Sequence, residues 1–88
     1  MGHISFGEMI LSYRQAQEWT QVEVAELIGV SKQDLCNIEK GRKLVSVERA
    51  VSFAKSLKLP KKTLAKYALQ DQLLKAGLSG EVVIKDVA

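Results

Sequence analysis

Thr20-Gln21-Val22-Glu23-Val24-Ala25-Glu26-Leu27-Ile28-Gly29-Val30-Ser31 reads as a short helix, a tight turn and the opening of a second helix. Thr20 stands just before the periodic apolar positions, where its hydroxyl can accept from the free amides of a first turn. Glu23, three residues on, completes a capping box by reaching back to the Thr20 amide. Val24, Leu27 and Ile28 supply an apolar stripe, and Ala25 is small enough for close helix contact. Gly29 ends the helix, because glycine takes without penalty the left-handed conformation that a helix C-terminus often needs. Ser31 caps the next helix, from about Lys32 to Glu39, and Gly41 stops it.

Working outward, Ser5-Phe6-Gly7-Glu8 has the same capping-box form, and Phe6, Met9, Ile10, Tyr13 and Ala16 follow at helical spacing. Helix 1 is expected over about residues 6–17. Residues 40–45, Lys-Gly-Arg-Lys-Leu-Val, form a basic loop. Ser46 caps a helix over about 47–57, with Val47, Ala50, Val51, Ala54 and Leu57 inward. Pro60 sits where the first turn of helix 5 would begin. Leu64, Ala68, Leu69, Leu73 and Ala76 carry that helix on to Gly77. The tail Glu81-Val82-Val83-Ile84-Lys85-Asp86-Val87 is β-branched and follows a glycine, which suits a strand. The expected organisation is a loose terminus or tag remnant over 1–4, a helical domain over 5–77, and a strand-like tail over 78–88.

With 88 residues the chain holds one small domain. Such a chain buries only about 60–65% of its unfolded surface, which leaves a thin stability margin. The hydrophobic fraction of 47% and charged fraction of 26% fit a soluble globular protein and exclude a disordered one. A single cysteine, Cys36, excludes a disulfide framework, and with only His3 beside it no zinc site is expected. No apolar run is long enough for a transmembrane helix, and no secretory leader is evident, so a cytoplasmic protein is expected. No Ser-His-Asp set and no phosphate-cradling glycine loop occurs, so no enzymatic activity and no cofactor are expected. Tyr13, Trp19, Phe53 and Tyr67 sit at apolar positions or at the helix 1–2 junction, where core packing is their default role.

The net charge of +3 is unevenly spread. Residues 1–30 hold Arg14 against Glu8, Glu18, Glu23 and Glu26, a balance of −3. Residues 31–66 hold Lys32, Lys40, Arg42, Lys43, Arg49, Lys55, Lys58, Lys61, Lys62 and Lys66 against Asp34, Glu39 and Glu48, a balance of +7. A basic middle between acidic ends outlines either a nucleic-acid surface or a lysine-rich solvated face. The third helix favours the first. Two helices of about two turns joined by Gly29-Val30-Ser31 have helix-turn-helix geometry, whose second helix enters the DNA major groove. Leu35 and Ile38 point inward, whereas Lys32, Gln33, Cys36, Asn37 and Lys40 share one outward face. Gln33 and Asn37 carry amides that can bond bidentately to adenine, and Lys32 can reach guanine O6 or N7.

The run 20–31, followed by Leu35, Ile38-Glu39-Lys40-Gly41-Arg42 and Leu57, resembles the Cro/C1-type (Xre-like) helix-turn-helix family of phage repressors, bacterial regulators and antitoxins. The likeness covers about residues 6–75, and its Thr-Gln-x-x-x-Ala-x-x-x-Gly-Val-Ser…Ile-Glu-x-Gly pattern is specific. It implies an all-α, five-helix, lambda-repressor-like bundle that binds double-stranded DNA as a two-fold dimer. It implies base reading by Lys32, Gln33 and Asn37, and phosphate contacts from Gln21, Lys40, Arg42 and Lys43. Arg14 and Glu39 match a partly buried structural ion pair between helices 1 and 3. Two residues depart from the pattern. Asp34 either stabilises its helix N-terminus or accepts from a cytosine amine, and Cys36 is either a small residue tolerating close DNA approach or a redox-sensitive thiol. Helix 5 and the unpaired tail strand are expected to form a homodimer. Small members of the family also serve as antitoxins, and the strand could add instead to the sheet edge of a protein toxin.

Overall fold

Hydroxyl side chains open four of the five helices. Ser5, Thr20, Ser31 and Ser46 accept from the amides of Glu8, Glu23, Asp34 and Arg49 at 3.0–3.2 Å. Glu8 and Glu23 return the bond to the Ser5 and Thr20 amides, at 3.3 and 2.9 Å. Each cap satisfies an amide that the helix cannot, a gain of about 1 kcal/mol. The computed structural model describes residues 4–77. Its elements in chain order are α1 (Phe6–Ala16), α2 (Gln21–Ile28), α3 (Lys32–Glu39), α4 (Val47–Leu57) and α5 (Lys61–Lys75). All described elements are helices. The tail expected as a strand lies outside the described residues.

All five helices are followed within two residues by one with positive φ, and after α5 it is Gly77 (φ 83°). At Gly29 and Gly41 φ is 76°, and the next residue's amide reaches back five positions, Val30 to Ala25 and Arg42 to Asn37. The same closure occurs at Glu18 (φ 58°) and Lys58 (φ 59°), where no glycine announces it. A side chain in this conformation costs roughly 1–2 kcal/mol, so these two helix ends carry strain that the glycine ends do not.

The core gathers one stripe from every helix. Phe6, Ile10, Val24, Leu35, Ile38 and Leu64 are each no more than 2% exposed, and truncating any of them to alanine costs about 2–5 kcal/mol. Phe53 packs against Phe6 with ring centroids 6.2 Å apart, and Trp19 meets Tyr13 edge-on at 5.9 Å. Three expected inward positions face solvent instead. Leu27 is 47% exposed, because Val24, Ala25 and Ile28 set the buried stripe of α2 and Leu27 lies about 100° from its middle. Ala16 ends α1 and Ala76 stands just past α5, where the last turn has left the core.

Long-range hydrogen bonds lock the helices in register. The Phe6 amide donates to Asp71 Oδ2 of α5 at 2.9 Å, and Gln72 Nε2 donates to the Val45 carbonyl at 3.1 Å. Tyr13 donates through its hydroxyl to the Leu57 carbonyl at 3.2 Å. The tightest approach is at Gly7, where a Cβ would stand 1.9 Å from the Ile38 carbonyl oxygen. Helix α1 therefore rests directly on the C-terminal backbone of α3, at the one place where α1 carries no side chain.

Candidate nucleic-acid interface

Helix α3 is held from one side only. Leu35 and Ile38 are 0% and 1% exposed and anchor it to the bundle, and Val30 of the turn packs against the same core. The opposite side carries Lys32, Gln33 and Lys40, all exposed, with Cys36 and Asn37 half-buried along its flank. Gln33 Nε2 donates to Asn37 Oδ1 at 3.4 Å, one helical turn away. That bond keeps both amide heads on one face. It leaves an acceptor on Gln33 and a donor on Asn37, the complement of the adenine N6 and N7 edge.

The basic loop is fastened to the end of this helix. The Asn37 carbonyl accepts from the amides of both Arg42 (2.9 Å) and Lys43 (3.3 Å). Lys40 and Arg42 project into solvent. Lys43 turns back instead, its Nζ lying 3.1 Å from Asp34 Oδ1. Both partners are about 40% exposed, so the bridge contributes at most about 1 kcal/mol and its lysine is readily released to another anion. Asp34 thus acts through two contacts, its amide on the Ser31 cap and its carboxylate on Lys43. Neither sequence-based role for Asp34 included the second, because Lys43 approaches only through the loop.

Behind the face lies a buried polar network. Arg14 donates through Nε to Glu39 Oε2 at 2.7 Å, through Nη2 to Glu39 Oε1 at 3.3 Å, and through Nη1 to the Trp19 carbonyl at 3.0 Å. The two side chains are 15% and 3% exposed. Gln21 joins them, its Nε2 donating to Glu39 Oε1 at 2.9 Å. The structure thereby brings Arg14, Gln21 and Glu39 together from three different helices. The Gln21–Glu39 bond was not legible in the sequence, where Gln21 reads as an isolated first residue of a helix. Gln21 also lines an open notch with Arg14, Thr20, Val22 and Lys32 at the α2 N-terminus, whose free amides favour an anion. Among the described residues no cluster of three or more His, Cys, Asp or Glu could hold a metal ion, and no helix is long and apolar enough to cross a membrane.

Two short helices joined through Gly29, the second buried along one side and polar along the other beside a basic loop, define a helix-turn-helix DNA-binding domain. The helix-turn-helix family model matches residues 10–67, about two thirds of the chain, and the chain belongs to that Cro/C1-type family. No curated protein and no solved structure matches it.

Proposed function

We propose that the protein is a sequence-specific transcriptional regulator, a repressor that binds operator half-sites as a homodimer with α3 in the major groove. Lys32, Gln33 and Asn37 read base edges, and Gln21, Lys40, Arg42 and Lys43 hold phosphates. The observation that carries this reading is the two-sidedness of α3. Its apolar side is committed to the core, and its other side presents paired amides and lysines that no other described residue occupies. Dimerisation through α5 and the tail over 78–88 would set two copies of α3 about 34 Å apart, one turn of B-DNA.

Selection of bound duplexes from a random pool tests the reading directly. The expected result is a two-fold symmetric site with half-sites one helical turn apart, bound with an affinity that falls steeply as salt rises. Gln33→Ala should lose roughly 1–3 kcal/mol on that site and relax preference at one base pair. An unenriched pool, with no salt-dependent retention of DNA, would overturn the proposal. Co-purification of a second protein under those conditions would move the reading to an antitoxin.

A further inference from the structure

We propose that Glu39 is a positioning residue for the phosphate grip of Gln21, an inference that rests on the DNA-binding reading above. Glu39 is the only buried charged or polar side chain among the described residues. It accepts from Arg14 Nε, Arg14 Nη2 and Gln21 Nε2. A carboxylate offers acceptors only, so the Gln21 amide is fixed with its nitrogen, not its oxygen, toward Glu39. A glutamine free to turn over would present a phosphate with a repelling carbonyl as readily as with an N–H. Held by one proton, Nε2 keeps a second that has no partner among the described residues. Gln21 lines the notch at the α2 N-terminus, where an anion is already favoured.

Arg14 makes the arrangement electrostatically workable. A bare carboxylate beside a phosphate would repel it, but the guanidinium neutralises Glu39 from two nitrogens. Glu39 is also the last residue of α3. The carboxylate that orients the phosphate-binding amide is thus part of the helix that reads bases, so phosphate register and base register are set by one element.

The test separates orientation from stability. Glu39→Gln puts an NH2 group opposite the Arg14 donors and risks unfolding the chain. The decisive variant is therefore Arg14→Met with Glu39→Leu, since exchanging a whole buried ion pair for apolar residues of similar volume typically preserves a fold. Thermal melts first establish that it is folded at the assay temperature. Against the pool-selected duplex it should bind about tenfold more weakly, the low end for one hydrogen bond to a charged group. In a Gln21→Ala background the same exchange should cost nothing further. Equal losses in both backgrounds, or none in either, would overturn the proposal.

A nuclear magnetic resonance measurement on the unaltered protein supplies a second readout should the double variant fail to fold. The two Nε2 protons of Gln21 should resonate separately, and adding the duplex should move only the one not bonded to Glu39. Both moving together would also overturn the proposal. Failure of the DNA-binding reading itself is distinguishable, because the unaltered protein would then retain no duplex at low salt.

Discussion

Replacing Gly7 with alanine adds one methyl group inside α1. On an unencumbered helix face this exchange stabilises by about 0.5–1 kcal/mol, because glycine loses more backbone freedom on folding. Here the new carbon would sit 1.9 Å from the Ile38 carbonyl oxygen and 2.9 Å from its carbon, where ordinary contact begins at 3.4 Å. The obstacle is backbone and has no rotamer to escape into. Either α1 lifts off α3 by about 1.5 Å, or the end of α3 is displaced. Both open the packing around Phe6 and Ile10 and stretch the Arg14–Glu39 bond of 2.7 Å. Overpacking at a rigid site costs about 3 kcal/mol, leaving a net loss of roughly 2–3 kcal/mol after the helix-propensity gain. A domain of this size is stable by only about 4–13 kcal/mol, and the melting temperature should fall by roughly 10–20 °C. Thermal unfolding followed by far-ultraviolet circular dichroism measures this. The internal control is Gly41→Ala, whose added Cβ meets nothing within 4 Å but must adopt φ of 76°. It should cost about 1–2 kcal/mol. A Gly7→Ala protein melting within about 3 °C of the original, or above the Gly41→Ala protein, would refute the close-approach reasoning.

Three further outcomes are expected. Lys58→Gly relieves the positive φ at the end of α4 and should raise stability by up to about 1 kcal/mol in chemical denaturation, provided the slope with denaturant is unchanged. Asp34→Ala breaks only the exposed bridge to Lys43 and should shift stability by less than about 1 kcal/mol; a larger loss would mean that the loop depends on it. Arg42→Ala should weaken binding to all duplexes alike and lower the salt-dependence slope by about 1, whereas a change in base preference would assign Arg42 to the groove.

The helix boundaries were legible because their causes are local. A cap hydroxyl, a glutamate three residues later and a glycine at the end act within one turn, and Thr20, Glu23 and Gly29 stand where those rules put them. The ends at Glu18 and Lys58 were not legible as positive-φ closures, since neither residue prefers that conformation and only the chain beyond imposes it. Leu27 shows a second limit. In an eight-residue helix two apolar stripes fit almost equally well, and the choice falls to what packs against it. Gly7 shows a third: in the sequence it is a weak helix former, and its purpose exists only because the α3 backbone arrives from thirty-one residues away. The family pattern pointed to the residues of the candidate interface. It paired Arg14 with Glu39 but did not reveal that Gln21 bonds to the same carboxylate, because that contact is set by tertiary geometry alone.

The bond from the Phe6 amide to Asp71 Oδ2 joins the first helix to the last across 65 residues of chain. At roughly 5–20 residues per second, synthesis delivers Asp71 several seconds after Phe6. Through that interval α1 has its capping box but not its acceptor from α5, and the Phe6 ring, later 2% exposed, lacks part of its cover. The nascent chain therefore presents its N-terminal helix to chaperones and proteases until α5 closes over it. A mutation at Asp71 would lengthen that exposure and show itself first as lower cellular abundance, ahead of any change in how the finished domain meets DNA.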